Sequence, residues 1–345
     1  MNKKYYALDI AKFISAFLVI AIHTQPLQEI SEMGNLVFVQ VIARLAVPLF
    51  FIISGYLFFV KLDDEREWND YVHTRQLKRY VLRLLKLYLI WSVLYLPFNY
   101  LLMKDGGISI VDLLRYVRDF FLTGSYYHLW FLPSLIVAVV GVYVLRLHFS
   151  AYQTIGITAL LYAIGMLGNV YDPIISNVPV ASTILNAYNA VFVTTRNGIF
   201  FGMFFIAISA VLAKSHNIVN RSKTLPLLGF VISFIGLVLE CLFLVRIDCM
   251  QEMTSMYIMV VPCVISLFLW LLALDLRKRD VFIWMRKASL LIYVSHLMFI
   301  VILQGVFPTI SLLALYLLTC VLSLVFASVI LCIANHLTIF KHLYA

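Results

Sequence analysis

The stretch "LDIAKFISAFLVIAIHTQPL", residues 8 to 27, has the length and apolar character of a membrane-spanning helix, yet it contains three ionisable side chains. Asp9, Lys12 and His23 are each expensive to place in hydrocarbon. On an α-helix these three positions share one stripe, and about 16 Å of rise separates Lys12 from His23. The spacing therefore predicts a helix with one polar face that turns away from lipid.

The composition of the whole chain indicates an integral membrane protein. Of its 345 residues, 63% are hydrophobic and only 12% are charged, and the mean hydropathy is +0.98. Soluble domains carry about twice that share of charged residues. The net charge of +9 does not indicate a nucleic-acid partner, because no basic run alternates with aromatic residues on a soluble domain. The five cysteines lack the spacing of a metal site or a disulfide framework, so we expect no metal.

Ten segments approach the roughly 20 apolar residues that a spanning helix needs. We predict an all-α polytopic membrane protein, a single domain over residues 1–345, with about ten transmembrane helices. The predicted spans are 6–27, 36–60, 80–103, 128–147, 152–168, 190–213, 224–245, 255–274, 288–305 and 309–335. Between the fifth and sixth spans, residues 180–190 are predicted as a half-helix or an interfacial segment.

The distribution of lysine and arginine predicts the orientation of these spans. One side collects 17 of the 26 basic residues, and both termini lie on that side. The other side has Lys104, Arg115, Arg118 and Arg246. Because cytoplasmic loops carry the excess of basic residues, both termini are predicted to be cytoplasmic.

Further polar residues inside the spans suggest an interior site. In "RLAVPLFFIISGY", Arg44 lies about two turns below the outer surface and needs a partner or an anion. Arg196 lies in the outer half of the predicted sixth span, and Tyr293 and His296 share a face of the ninth. Two interpretations of the first stripe remain open. In the first, the polar stripe lines a water-filled cavity. In the second, Asp9 and Lys12 form an ion pair at the cytoplasmic interface, and His23 lies among the outer lipid head groups.

Several stretches of the chain, in order, resemble the membrane acyltransferase family 3. The first two spans show a basic residue before a histidine and then Arg-x3-Pro-x6-Gly. The other stretches are "RQLKRYVLRLLKLY", "YHLWFLPSLI", "TTRNGIFFGMFF" and "ASLLIYVSHLMF". The resemblance covers essentially the whole chain and is carried by the set of motifs.

This resemblance implies a ten-helix bundle in the inner membrane that acts as an O-acyltransferase. The donor would be acetyl-coenzyme A or another acyl-coenzyme A on the cytoplasmic side, and the acceptor a hydroxyl of an envelope glycan or a small molecule outside. The first-helix histidine, His23, would act as general base or transient acyl carrier, with Asp9 and Lys12 on its face. Arginine forks and lysine charges suit coenzyme A phosphates, which assigns Lys78, Arg79 and Arg83 to the donor. The acceptor would then meet the four polar residues of the later motifs, Arg44, Arg196, Tyr293 and His296.

One residue departs from the family pattern and keeps a second function open. Lys12 stands where the family usually has arginine, so the planar two-pronged donor is absent. The membrane halves of vancomycin-resistance serine racemases also resemble this chain and are associated with amino-acid uptake. In that alternative the polar stripe binds a small zwitterion such as serine, with Arg44 on the carboxylate and Asp9 near the amine, and performs no chemistry.

Overall fold

The computed structural model describes residues 5–63, 65–103, 109–215, 222–250 and 254–344. Most of these residues are helical. The α-helices are α1 (Tyr6–Thr24), α2 (Glu32–Leu36), α3 (Ala46–Phe59), α4 (Tyr71–Met103), α5 (Ile110–Leu122), α6 (Phe131–His148), α7 (Ala151–Leu167), α8 (Asp172–Ile175), α9 (Pro179–Phe192), α10 (Met203–Lys214), α11 (Thr224–Arg246), α12 (Val260–Ala273), α13 (Asp280–Val306) and α14 (Leu312–Ile333). Wider π-helical turns cover Val37–Ile42 and Gly198–Gly202, and 3-10 turns cover Ala43–Leu45 and Thr338–Leu343.

The chain is a multi-pass membrane protein, as predicted. Within the described ranges, seven helical stretches are long and apolar enough to cross a membrane. They are Tyr6–Thr24, Glu32–Phe59, Tyr71–Leu101, Phe131–His148, Thr224–Arg246, Asp280–Val306 and Leu312–Ile333. Three shorter apolar helices, Ala151–Leu167, Gly198–Lys214 and Val260–Ala273, match the remaining predicted spans. The count of ten crossings and the cytoplasmic termini stay predictions. Four of the basic residues used for orientation, Lys3, Lys4, Lys104 and Arg221, lie outside the described residues.

The helices group into two compact units. The first takes the described parts of Met1–Ile53, Ser215–Met250 and Tyr257–Tyr344. In this unit α1 packs on α13 and α14, and α11 packs on α12. Helices α1 and α13 run parallel, because the contacts between them follow the same order from the first to the last residue of each helix. Parallel packing requires an odd number of crossings between the two helices, which agrees with the seven spans predicted there.

The parallel pairing of α1 and α13 is visible in three contacts. The rings of Tyr6 and Phe282 lie 5.7 Å apart at the start of both helices. One turn later the side chains of Asp9 and Arg286 form an ion pair. Near the end of α1, the rings of His23 and His296 stack. The two helices thus bring together residues from opposite ends of the sequence along a single seam.

The second unit takes the described parts of Ser54–Lys214 and Gln251–Met256. Its helices α6, α7 and α10 pack together around the π-helical turn that precedes α10. Gly198 begins this turn at a close approach of two backbones. A Cβ atom at Gly198 would lie 2.5 Å from the carbonyl oxygen of Ser134 on α6 and 2.9 Å from Cβ of Val137. Only glycine fits this contact without a shift of the backbone.

Gly198→Ala is therefore expected to destabilise the second unit. Overpacking of this kind typically costs about 1–3 kcal/mol, and here the obstacle is backbone rather than a flexible side chain. The matched control is Gly156→Ala on α7, where no atom lies within 4 Å of the added Cβ. Thermal unfolding in detergent should show a lower midpoint for Gly198→Ala and an unchanged or slightly higher midpoint for Gly156→Ala. Equal midpoints would contradict the close approach.

Three of the predicted spans have different limits in the structure. Helix α4 begins at residue 71 rather than 80, and α13 begins at 280 rather than 288. The predicted span 190–213 is interrupted, since α9 ends at Phe192 and the next helix begins at Gly198. The side-chain Oδ1 of Asn197 accepts hydrogen bonds from the amides of Ile199 and Phe200, which fixes this later start.

Candidate functional site

The seam between α1 and α13 carries a pair of stacked histidines. The ring centroids of His23 and His296 lie 5.3 Å apart, with 28° between their planes. His296 is fully buried, whereas His23 is half-buried in the last turn of α1. Tyr293, one turn before His296, has its ring 6.2 Å from that of His296. The structure therefore brings together three of the residues that the sequence singled out.

The tautomer of His296 follows from its backbone contact. Its Nδ1 lies 2.7 Å from the carbonyl oxygen of Tyr293. A carbonyl oxygen can only accept, so Nδ1 carries a proton and donates it. The neutral ring then keeps its lone pair on Nε2. Two imidazoles this close would repel each other if both were protonated, which favours at most one charge on the pair.

The turn that follows His23 is held by side-chain hydrogen bonds. Asn35 is buried, and its Nδ2 donates to Oε1 of Gln25 at 2.6 Å and to Oε1 of Gln28 at 2.8 Å. The Oδ1 of Asn35 accepts from the amide of Leu27. Three groups of this loop are thus hydrogen-bonded to one buried amide, which fixes the end of α1 and with it the position of the His23 ring.

At the other end of the seam, Asp9 lies between two cations. Its Oδ1 is 3.5 Å from Nζ of Lys12, and its Oδ2 is 3.2 Å from Nε of Arg286. Asp9 is only 5% exposed. The pairing of Asp9 with Lys12 fits the simpler of the two open interpretations, but Arg286 extends the pair across two helices. This cluster lies about 21 Å along α1 from His23, since 14 residues separate them at 1.5 Å each.

Arg44 belongs to a third polar group of the first unit. It lies in the 3-10 turn Ala43–Leu45, directly after the π-helical turn, and is 4% exposed. Its Nε donates to Oε1 of Gln40 at 2.8 Å, and the hydroxyl of Tyr257 donates to the same oxygen at 3.2 Å. Departures from α-helical geometry of this kind are frequent at functional sites. The turn that carries Arg44 contacts α1 and α12.

The basic cluster assigned to the donor lies in the second unit, near the start of α4. Lys78, Arg79 and Arg83 are all exposed. Arg79 and Arg83 are one helical turn apart, so their side chains project from the same face. The structure thus leaves this cluster accessible to a charged ligand from outside the helix bundle.

Arg196 was placed wrongly by the sequence prediction, which put it inside the sixth span. It lies in the loop before Gly198, because the cap at Asn197 starts the helix after it. Its guanidinium carbon is 5.1 Å from the centroid of the Trp130 ring. Both residues belong to motif stretches noted in the sequence, "TTRNGIFFGMFF" and "YHLWFLPSLI".

Arg196 and Trp130 line a cavity of about 450 Å³ in the second unit, which the sequence reasoning missed. The cavity residues are Asn99, Asp112, Arg115, Tyr116, Asp119, Leu122, Thr123, Gly124, Ser125, Tyr126, Tyr127, Trp130, Ser134, Val193, Thr194 and Arg196. Its size falls in the range of small-ligand pockets. Most of these residues come from the segment 112–134, and all of those except Trp130 and Ser134 precede the predicted span 128–147.

The sequence also missed three partners of its predicted residues in the first unit: Arg286, Gln40 and Tyr257. Two of these partners had a signal in the helical spacing: Arg286 precedes Tyr293 by seven residues, and Gln40 precedes Arg44 by four. Among the described residues, no group of three or more His, Cys, Asp or Glu side chains could hold a metal ion.

Comparison with known proteins identifies what the chain is similar to. A protein from Enterococcus faecalis named amino-acid racemase is 28% identical over 309 residues, covering 89% of this chain and 42% of that protein. The serine/alanine racemase of Enterococcus gallinarum is 31% identical over 296 residues, covering 85% of this chain and 40% of that protein. The chain thus spans about two fifths of the length of these curated relatives. No solved structure matches it.

A protein-family comparison covers nearly the whole chain. The sequence model of acyltransferase family 3, described as an acyltransferase domain, matches residues 5–332. That range includes α1 to α13 and almost all of α14, and so every residue of the polar groups described above. The resemblance seen in the sequence motifs is confirmed: the chain belongs to the acyltransferase-3 domain family.

Proposed function

We propose that the chain is a membrane O-acyltransferase. It takes an acyl group, foremost acetyl, from acyl-coenzyme A on the cytoplasmic side of the inner membrane and delivers it to a hydroxyl of an envelope glycan or other small acceptor. The observation that carries this proposal is the stacked pair of His23 and His296 on the α1/α13 seam, in a chain whose family match extends over residues 5–332.

In the proposed reaction His23 acts as the general base. The acceptor oxygen attacks the thioester carbonyl carbon, the acceptor proton passes to a ring nitrogen of His23, and the carbon–sulfur bond breaks. Coenzyme A leaves as a thiolate and takes up the proton, so His23 returns to its neutral form. Imidazole suits this role because it accepts and releases a proton near pH 7. His296, held by Tyr293, supports the orientation of the His23 ring by stacking on it.

The remaining polar residues take supporting roles in this proposal. Asp9, Lys12 and Arg286 hold the cytoplasmic ends of α1 and α13 together, about 21 Å from His23 along the helix axis. Direct participation of Asp9 and Lys12 in acyl transfer stays a prediction. Arg44, with Gln40 and Tyr257, offers guanidinium and hydroxyl donors to the acyl or acceptor group.

For the donor, Arg79→Ala combined with Arg83→Ala is expected to weaken coenzyme A binding about tenfold or more. Each charge-assisted hydrogen bond to phosphate is worth enough for such a change. The loss should be larger at low salt, because contacts with exposed charges are screened by ions. Calorimetry in detergent measures it.

The control for this double variant removes the same two charges elsewhere. Arg277→Ala with Lys278→Ala changes an exposed pair in the α12–α13 loop, on the side predicted to be cytoplasmic. Coenzyme A affinity should stay unchanged in this control. An equal loss of affinity in both variants would mean that coenzyme A is attracted by the overall positive charge and not by this cluster. No loss in either variant would mean that the basic residues of α4 only orient the helix in the membrane.

The names of the relatives favour one alternative of a different class, a membrane domain that binds or translocates a small amino acid such as serine. Arg44 would then hold the carboxylate. The structure weighs against Asp9 as the partner of the amine, since its two oxygens already face Lys12 and Arg286. Proteoliposomes distinguish the two functions: a transferase consumes labelled acetyl-coenzyme A and labels a hydroxyl acceptor, whereas a carrier accumulates labelled serine and leaves the thioester intact.

A further inference from the structure

Helix α5, in the second unit, has two chemically distinct faces. Large apolar side chains on one face are strongly exposed: Ile110 at 76%, Leu114 at 64% and Phe121 at 70%. These positions, with Leu113 and Val117, repeat at intervals of three and four residues. None of the thirteen residues of α5 is buried. In water such a face would be a liability for aggregation, so it requires an apolar partner.

The neighbouring helices indicate which partner covers this face. Helix α5 connects two candidate membrane spans, Tyr71–Leu101 and Phe131–His148. It is itself too short and too charged to cross, since it carries Asp112, Arg115, Arg118 and Asp119. A connection between consecutive spans lies at one membrane surface. An amphipathic helix at that surface lies in the plane of the interface, with its apolar face among the lipid chains.

The opposite, polar face of α5 forms one wall of the 450 Å³ cavity. Asp112, Arg115, Tyr116 and Asp119 project from this face and line the cavity. The helix is fixed at its start by a capping box, in which Ser109 and Asp112 bond each other's amides. The side-chain hydrogen bond from Ser109 holds the pKa of Asp112 below its ordinary value, so this carboxylate is charged at neutral pH.

Aromatic side chains form a second part of the cavity wall. Tyr126, Tyr127 and Trp130 lie in the short segment between α5 and α6 and line the same space. Tyrosine and tryptophan concentrate at the level of lipid head groups, where an apolar ring and a polar tip are both satisfied. This is a second, independent indication that the cavity lies at head-group depth.

The charged side chains in and beside the cavity are three arginines and two aspartates. Asp112 pairs with Arg115, and Asp119 pairs with Arg118. The lining itself, with Asp112, Arg115, Asp119 and Arg196, sums to zero. Arg118, which pairs with Asp119 from beside the cavity, brings the net charge of the group to +1, the sign that attracts an anion. The guanidinium carbon of Arg196 lies 5.1 Å from the centroid of the Trp130 ring, and an arginine in contact with an aromatic ring presents its N–H donors in the plane of the guanidinium. This is the orientation in which arginine binds phosphate oxygens.

We propose that α5 lies in the membrane interface and that the cavity on its polar face binds the phosphate head group of an anionic lipid, with Arg196 as the principal ligand. This inference goes beyond acyl transfer and depends only on the second unit. The lipid chains would continue along the apolar face of α5, and the phosphate would face Arg196 and the tyrosines.

The first arm of the test measures the depth of α5 in the full-length protein. A nitroxide is attached at Leu114→Cys, in a background whose five native cysteines are replaced by alanine, after reconstitution into phosphatidylcholine nanodiscs. We expect the label to be more accessible to oxygen than to a water-soluble nickel reagent. A label at Arg115→Cys, on the other face, should show the reverse preference. Water accessibility at both positions would overturn the interfacial placement.

The second arm measures lipid retention. Native mass spectrometry of protein from nanodiscs with added phosphatidylglycerol should show a bound lipid, and Arg196→Gln should reduce its retention about tenfold. Arg246→Gln is the control, since Arg246 is an exposed arginine on the same predicted side of the membrane. Arg196→Lys keeps the charge without the fork and should give an intermediate value, and unfolding midpoints verify that each variant is folded.

A third arm separates a lipid from a free anion. Inorganic phosphate added at millimolar concentration should not displace the lipid, because it lacks the chains that lie along α5. Complete displacement by inorganic phosphate, or equal retention by Arg196→Gln and the wild type, would overturn the proposal. Neither outcome depends on acyl-transfer activity, so failure here is distinguishable from failure of the proposed function.

Discussion

His23→Gln is expected to abolish most acyl transfer, with a loss of about 10²–10⁴-fold, the typical contribution of a general base. Glutamine keeps the size and hydrogen bonding of histidine but cannot take a proton near neutral pH. The fold should persist, because His23 is only half-buried and its ring stacks on that of His296, a contact that the flat glutamine amide partly preserves.

The measurement is acylation of acceptor in washed membranes at equal expression. His336→Gln, an exposed histidine beyond α14, serves as the control and should retain full activity. His296→Gln should give a smaller loss than His23→Gln, because its role is to position the neighbouring ring. Wild-type acylation in His23→Gln would remove His23 as the base, whereas a carrier that only hydrogen-bonds serine could tolerate this glutamine.

Asp9→Asn should lower the free energy of unfolding more than Gly198→Ala does. The substitution leaves Lys12 and Arg286 close together without the carboxylate that lies between them in a nearly buried position. Removing one partner of a buried ion pair costs about 3–5 kcal/mol. The cost here should lie at or below the lower end of that range, because the Arg286 side chain is 45% exposed and solvent screens its charge. We expect a clear fall in the midpoint of thermal unfolding in detergent.

Asp63→Asn gives the matched control for Asp9→Asn. Asp63 also pairs with an arginine three residues along the chain, Arg66, but both side chains are nearly half exposed. Exposed pairs contribute little, since solvent and salt screen them. The midpoint should therefore hardly move. A similar shift in the two variants would mean that Asp9 is not held between two cations.

Much of the fold could be predicted from the sequence because the apolar runs are long. Each of the ten predicted spans corresponds to an apolar helix, seven of them of spanning length. What hydropathy could not find are the charged ends of helices. Residues 280–287 and 71–79 are helical but contain charged side chains, so a search for uninterrupted apolar runs stopped short of them. Arg286 was therefore assigned to a loop, and its contact with Asp9 was missed.

Contacts between residues that are distant in the sequence are the second feature that could not be predicted from one sequence. Gln40 receives hydrogen bonds from Arg44, four residues away, and from Tyr257, more than two hundred residues away. Helical spacing predicts the first contact. The second depends on how α11 packs against the π-helical turn and α12 against the 3-10 turn that follows it, which no local pattern encodes. The cavity of the second unit was missed for the same reason, since it joins α5 to the loop before α10.

The parallel pairing of α1 with α13 has a consequence for the biogenesis of the protein. His23 and His296 are 273 residues apart, so at about 5–20 residues per second the ribosome needs roughly 14–55 s to supply the second histidine after the first. During that interval α1 must remain in the bilayer without the helix that covers its polar face. The local pair of Asp9 and Lys12 lowers the free energy of α1 in the bilayer before α13 is inserted, because the two opposite charges neutralise each other within one turn. Arg286 then arrives with α13 and converts this provisional pair into the final three-residue cluster.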